Sequence, residues 1–329
     1  MDSFKAFWVE KEDKLVRQSI INRSIDDLPQ NEILIRVHYS SLNYKDALSA
    51  KGLPGVTRNY PHTPGIDVSG VVETSSVEDL QKGDEVIVTG FDLGMNTPGG
   101  FGQYVTVPAK WVLKIPPNMT LRDSMIYGTA GLTAALCYKK LLLMGAAPGD
   151  GPVLVTGSTG GVGSVAVSLL SSEGFEITAC TGKADQQDYL KSIGATSVVS
   201  REELEEVNTG PISKEKFAHV VDTVGGSILS NALKSLCYGG SAAICGLVAS
   251  PKFEATVLPF ILRNVNLLGI DSVELSLDEK KDAWDQLANE WMLKNLESLA
   301  TEITLEELTA EIDNIFAGKV TGRKVVSLK

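Results

Sequence analysis

Cysteine and histidine are scarce in this chain, with four cysteines and three histidines among 329 residues. Cys137, Cys180, Cys237 and Cys245 show no C-x-x-C spacing, and His38, His62 and His219 are scattered. The usual ligands of a zinc site are in short supply, so no metal is expected. Single thiols accord with reduced cysteines in a cytoplasmic protein. Long apolar runs are missing too; none approaches the ~20 residues of a membrane-spanning helix. The start, Met1-Asp2-Ser3-Phe4-Lys5, has no basic segment ahead of an apolar core, so no secretory leader is expected. Basic excess is absent: 30 Lys and Arg face 41 Asp and Glu, a net charge of −11. That removes the broad positive field used in non-specific nucleic-acid binding. The length allows two domains with a substantial core.

What is present centres on Val153-Leu154-Val155-Thr156-Gly157-Ser158-Thr159-Gly160-Gly161-Val162-Gly163. A short β-branched run reads as a buried parallel strand, turns on glycines, and resumes as a helix. Glycines let a backbone approach a pyrophosphate, and a helix N-terminus offers free N–H groups and partial positive charge. The spacing, Gly157-x-x-Gly160-Gly161-x-Gly163, departs from G-x-G-x-x-G, so a plain strand-to-helix turn is the alternative. Residues 176–180 read as the next strand. An NAD site would place Asp or Glu at its end for the ribose 2′-OH. Here the strand ends in Thr181-Gly182-Lys183, with no carboxylate before Asp185. A hydroxyl, a flexible glycine and a cation suit a 2′-phosphate, so NADPH is expected over NADH; the alternative for Lys183 is a solvated surface charge.

The first third of the chain reads as β-rich, with strands over 3–9, 32–40, 67–73, 85–90 and 99–107. The character changes near residue 120, where Thr120 and Asp123 resemble an N-cap pair. The helix that follows is interrupted at Gly128-Thr129-Ala130-Gly131. From 153 on, strand patterns at 197–199, 217–222, 241–245 and 266–269 alternate with helices over 185–193 and 227–236. This is the pattern of a doubly wound parallel sheet. Residues 278–294 predict a helix with Trp284, Leu287 and Trp291 on one packed face. Thr304 and Glu307 make a capping box for a helix to Phe316. Residues 323–328 predict a last strand rejoining the N-terminal β-domain. The expected fold class is α/β: a β-rich domain of 1–121 with 265–329, and a Rossmann domain of 122–264.

Several stretches together resemble one family over the whole chain. They are Ser41-Leu42-Asn43-Tyr44-Lys45-Asp46-Ala47-Leu48, Pro64-Gly65-Ile66-Asp67, Gly128-Thr129-Ala130-Gly131, the glycine turn, Thr181-Gly182-Lys183 and Pro259-Phe260-Ile261-Leu262-Arg263-Asn264. The chain is similar to the medium-chain dehydrogenase/reductase superfamily, and within it to the zinc-free quinone oxidoreductase-like branch that includes acryloyl-CoA reductases. The resemblance implies a GroES-like N-terminal domain, an inserted nucleotide-binding domain, a cleft between them and usually a homodimer. Zinc members carry a cysteine in the Asn43-Tyr44 region, a His-Glu pair at Ile66-Asp67, and a four-cysteine structural lobe. None of these is present.

A hydride donor working without a metal needs an electron-poor carbon, such as an activated alkene or a quinone, and fixed donors for the developing oxyanion. The resemblance therefore implies an NADPH-dependent oxidoreductase reducing an activated C=C bond, as in an acryloyl-CoA-like thioester. A quinone or enone reductase is the alternative, and an NADPH-binding protein without turnover a further one. It places Asn43 and Tyr44 beside the nicotinamide, Asn43 bonding ribose or substrate and Tyr44 contacting cofactor or donating a proton. Lys45 and Asp46 are expected as an exposed pair. Cofactor contacts are expected from Tyr44, Thr129, Gly157, Thr159, Gly160, Gly161, Val162, Gly163, Thr181, Gly182, Lys183, Gly246 and Leu247. Arg58, Arg263 and Arg323 are candidates for substrate phosphates, since a planar fork matches phosphate oxygens.

Overall fold

Alternating apolar residues near the N-terminus become strands whose buried side chains build a main core and a smaller cluster around Phe4. The computed structural model describes residues 3–206 and 210–329. The chain divides into two units: Met1–Thr129 with Ser272–Asn289 and Leu296–Lys329, and Ala130–Asp271 with Glu290–Asn295. The first unit opens with an antiparallel hairpin, β1 (Ser3–Glu12) and β2 (Leu15–Ser24). It continues through β3 (Ile33–Leu42), α1 (Tyr44–Ala50), β4 (Asp67–Ser75), β5 (Glu85–Thr89), β6 (Tyr104–Val107), β7 (Leu113–Lys114) and the start of α2 (Leu121–Leu143). Thr120 and Asp123 cap α2 reciprocally, each backbone N–H donating to the other's side-chain oxygen. The interruption expected at Gly128 is a break in the helix, with φ 51° and ψ −159°.

The second unit alternates β8 (Val153–Val155), α3 (Gly161–Ser172), β9 (Ile177–Thr181), α4 (Gln187–Ser192), β10 (Ser197–Ser200), α5 (Arg201–Glu205), β11 (Phe217–Asp222), α6 (Gly226–Lys234), β12 (Leu236–Ile244), α7 (Leu258–Arg263) and β13 (Asn266–Gly269). All five ladders are parallel, in the order β10-β9-β8-β11-β12-β13. This is the Rossmann order, with its switch point between β8 and β11. Residues of β8, β9 and β11 are buried throughout, because helices cover both faces of such a sheet. Several bounds differ from those expected, and β2 was not expected at all; two of the differences bear on the second unit. Leu236 begins β12 rather than ending α6, and β13 pairs with β12, so 266–269 belong with the parallel sheet.

The chain then returns to the first unit as α8 (Leu277–Ala288), β14 (Ala300–Ile303), α9 (Leu308–Phe316) and β15 (Arg323–Ser327). Thr304 N–H donates to Glu307 at 2.8 Å, as the capping box requires. Trp284 and Leu287 are buried on α8, but the helix ends at Ala288. Trp291 is not on that face; it packs edge-on against Tyr138 of the second unit, centroids 5.1 Å apart. In the first unit's larger sheet, β3 pairs antiparallel with β4, β6 and β15. Ile33, Ile35 and Val37 of β3 are buried at its centre. The registers Lys324↔Leu42 and Tyr39↔Ser69 bring Arg323, Ser41 and Asp67 together from three distant strands. Among the described residues, no helix is long and apolar enough to cross a membrane.

Candidate active site

The candidate groups of the two units are built differently. In the second unit the site is backbone. Gly157 follows β8 at φ 58°, and a Cβ there would stand 2.4 Å from Thr223 Oγ1. Gly163 presses on the same turn, since its Cβ would lie 2.3 Å from the Gly157 carbonyl oxygen. Gly160 caps α3 without a side-chain hydrogen bond, leaving the N–H groups of Gly161, Val162 and Gly163 to face outward from the first turn. The turns after β8 and β11 are tied at the switch point. Thr156 Oγ1 donates to Asp222 Oδ1 at 2.8 Å, and Thr223 Oγ1 donates to the Thr156 carbonyl at 2.8 Å. Asp222 also accepts the Gly225 N–H, while burial pushes its carboxyl above the usual range. Gly246 is tighter still, because a Cβ there would fall 1.8 Å from the Thr223 carbonyl oxygen. Leu247, next along, is 54% exposed.

At the tip of β9, the hydroxyls of Thr159 and Thr181 approach to 3.4 Å, and Lys183 N–H donates to Thr181 Oγ1 at 3.1 Å. Lys183 is half-buried, and burial pulls its ammonium below the usual lysine range while Asp185 opposes. Arg201 was not anticipated. Its guanidinium carbon lies 3.0 Å from where a Cβ of Gly182 would be, because β10 pairs Ser200 with Thr181. Sheet order is the signal that could have found it: the residue after the third strand lies beside the tip of the second.

In the first unit the site is side chains around Asp67. Its Oδ2 accepts from Ser41 Oγ at 2.5 Å, Asn43 Nδ2 at 2.7 Å and Thr129 N–H at 2.9 Å; its Oδ1 accepts from Thr129 Oγ1 at 2.5 Å. Arg323 closes the cage, with Nε donating to the Ile126 carbonyl at 2.9 Å, Nη2 to Ser41 Oγ at 2.8 Å and Nη1 to Asn43 Oδ1 at 3.3 Å. Asp46 lies beneath, accepting the N–H groups of Asn43 and Ile66 at 2.8 Å each. Burial, and next the charge of Asp67, push its carboxyl up to about 7; the two backbone bonds pull the other way. Gly128 is dictated by the cage, since a Cβ there would meet Ser41 Oγ at 2.4 Å and Asp67 Oδ2 at 2.6 Å. Tyr44 opens α1, half-buried, its ring 5.7 Å from that of Phe316.

Residues 29–117 match the alcohol dehydrogenase GroES-like domain, and 161–290 match the zinc-binding dehydrogenase family. Acrylyl-CoA reductase AcuI of Ruegeria pomeroyi is 42% identical over 99% of both chains. YhfP of Bacillus subtilis, provisionally named a quinone oxidoreductase, is 40% identical over 99% of both. Its structure with NAD bound superposes with a TM-score of 0.96 over 100% of each chain. The yhdH oxidoreductase of Salmonella enterica in complex with NADP is 39% identical, TM-score 0.96, over 99% of this chain and 100% of that one. The chain belongs to the medium-chain dehydrogenase/reductase superfamily. Its β-rich unit is the GroES-like domain and its parallel sheet the Rossmann domain of that superfamily.

Family membership makes the zinc question concrete, and the residues do not fit the metal. Ile66 has no donor atom, Asn43 turns its amide nitrogen to Asp67, and both Asp67 oxygens are taken by hydrogen-bond donors. No cluster of metal-ligating side chains occurs among the described residues. Three sequence expectations need correction. Asp46 is not exposed; it is fully buried. Arg323 is 2% exposed and its guanidinium is spent inside the cage, so it has no face for a substrate phosphate. Arg263 donates to the carbonyls of Lys234, Leu236 and Ser213 and pairs with Glu215, which makes it a brace for the chain around β12. Arg58 differs: its side chain is exposed, and its backbone N–H is held by Asn96 Oδ1 at 3.0 Å.

Proposed function

We propose that this chain is an NADPH-dependent reductase of an activated C=C bond, with an acryloyl-CoA-like thioester as substrate and no zinc in the reaction. The observation that carries this reading is the filled cage at Asp67. Residues that would polarise a carbonyl through a metal are replaced by a closed hydrogen-bond network, so hydride must go to a carbon that is already electron-poor. Bound NADPH supplies that hydride for the β-carbon of the conjugated thioester, and a proton completes the α-carbon.

The chain's own part is to hold and orient. Gly157, Gly160, Gly161, Val162 and Gly163 offer the pyrophosphate a backbone cradle, in a turn too tight to hold a Cβ at 157 or 163. Thr159, Thr181, Gly182, Lys183 and Arg201 receive the adenosine 2′-phosphate. Thr129, Gly246 and Leu247 serve the nicotinamide end. Tyr44 contacts the cofactor or protonates the α-carbon. Asn43 acts by orientation, because both ends of its amide are engaged. Arg58 is the candidate for CoA phosphates. Support for the thioester comes from the 42% identity to a protein named acrylyl-CoA reductase. The provisional naming of YhfP supports the second reading, a quinone or enone reductase.

The test is NADPH oxidation by the purified protein with acryloyl-CoA beside a small quinone at equal concentration. Fast oxidation with the thioester and slow with the quinone is expected. The reverse would make it a quinone reductase, and NADPH binding without turnover on either would sink the catalytic reading. We further propose a homodimer acting in the cytoplasm. The outer strand β13 leaves one edge of the sheet open, and Val257, Ile261 and Leu262 nearby are 65%, 68% and 55% exposed, the kind of face a symmetric partner covers. A mass of one chain by light scattering at micromolar concentration would refute the dimer. The four free thiols accord with the cytoplasm.

A further inference from the structure

The cage around Asp67 is more ordered than hiding a carboxylate requires. Two carboxyl groups and one guanidinium, of Asp46, Asp67 and Arg323, lie within it at 0%, 0% and 2% exposure. Arg323 does not touch Asp67; the Ser41 hydroxyl and the Asn43 amide stand between them. Each bridge therefore has only one orientation. Ser41 Oγ accepts from Arg323 Nη2, so its hydrogen must point to Asp67. Asn43 presents Oδ1 to the guanidinium and Nδ2 to the carboxylate, which fixes which way the amide faces. Thr129 grips Asp67 with both its N–H and its hydroxyl, immediately after the Gly128 break, and Asp46 holds the N–H of Asn43 where α1 begins. A buried ionic group seldom gains net stability over an apolar replacement, whereas a network of directed bonds does restrict orientation.

We propose that Asp67 is a positioning residue of the reaction: with Arg323, through Ser41 and Asn43, it fixes the α1 start bearing Tyr44 and the backbone at Thr129 in one geometry. The proposal rests on the reductase reading above. It gives Asp67, in a stretch where zinc members of the superfamily carry metal ligands, the task of orientation and no part in bond making.

The test compares Ser41→Ala and Asp67→Asn with the unmodified protein. Ser41→Ala removes one bridge and keeps every charge. Asp67→Asn puts donor hydrogens where only acceptors are tolerated. Four quantities are read: kcat and KM with acryloyl-CoA, the Kd of NADPH from its fluorescence, and amide hydrogen exchange over residues 126–131. Misplacing reacting groups by about 1 Å can cost about 100-fold. By that scale, kcat is expected to fall about tenfold in Ser41→Ala and about 100-fold in Asp67→Asn, with KM and NADPH Kd within about threefold and faster exchange at Thr129. Values of kcat within twofold of the unmodified protein in folded variants would overturn the proposal. So would a parallel loss of kcat and NADPH binding, which marks general disruption. Should Asp67→Asn not fold, Ser41→Ala decides. An unmodified protein inactive on acryloyl-CoA, other activated alkenes and quinones would defeat the reductase reading itself. Activity in the unmodified protein with no change in Ser41→Ala defeats only the positioning role.

Discussion

The glycine turn after β8 and the cage around Asp67 solve opposite problems. The turn is made of backbone from one short run, and its chemistry depends on what is missing from its residues. The cage is made of side chains from β3, β4, α2 and β15, and its chemistry depends on what each one carries. In the turn, an added atom is the injury; in the cage, a removed or reversed hydrogen bond is. A contiguous backbone site tolerates side-chain chemistry and rejects volume. A dispersed polar site tolerates little change in either, because each group is a partner of at least one other.

The largest effect should come from deleting the cage's cation. Arg323→Ala leaves two buried carboxyl groups without a counter-charge, and urea unfolding should show a loss of about 3–5 kcal/mol. A loss below about 1 kcal/mol would mean that water enters and solvates the pair. On the other side, Gly157→Ala forces a Cβ onto Thr223 and a left-handed residue without glycine's freedom. That should cost about 1–3 kcal/mol and abolish measurable NADPH binding in fluorescence titrations. If binding survives, the phosphates are held elsewhere than at this turn.

A sharper test separates the two cations at the tips of β9 and β10. Neutralising Lys183 or Arg201 removes one charge-assisted contact to a 2′-phosphate, so each should shrink the NADPH-over-NADH preference in kcat/KM about tenfold, and the double variant more. An unchanged preference in both single variants would count against NADPH. A further test is the cage's pH dependence. Asp46 in the folded chain holds its proton up to about 7, well above the ordinary range of an aspartate carboxyl. The folded state thus binds the extra proton, and the stability this contributes is lost as pH rises through about 7. Unfolding free energy should fall by about 2 kcal/mol between pH 5.5 and 8.5. A flat profile would show that the two backbone bonds to Asp46 outweigh its burial.

The same contrast explains what could be read from the chain alone. The turn was legible because strand, glycines and helix are consecutive, and so was Lys183 at a strand end. The Rossmann alternation, the break at Gly128 and the return of the last strand to the β-rich unit were legible from periodicity and glycine placement. Arg201 was not, because its relevance depends on β10 lying beside β9. The cage was read only in fragments: Asn43 as a substrate contact, Asp46 as exposed, Arg323 as a phosphate binder. Apart from short-range bonds such as that between Asp46 and Asn43, their partners lie 20 to 282 residues away in sequence, and strand register brings them together. Trp291 misled for a related reason, since helical spacing continued past the point where Asn289 stops the helix at φ −130° and ψ −96°.

Trp291 also bears on how this protein can be dissected. The nucleotide-binding unit is Ala130–Asp271 plus the short return Glu290–Asn295. A fragment ending at Asp271 would keep all six parallel strands and every residue of the glycine turn, yet lose the indole that covers Tyr138 and the buried Leu293. Exposed aromatic surface at that spot would make the fragment sticky rather than a faithful stand-in for the unit. The unit is therefore assembled from two stretches of one chain, and swapping it between relatives requires moving both.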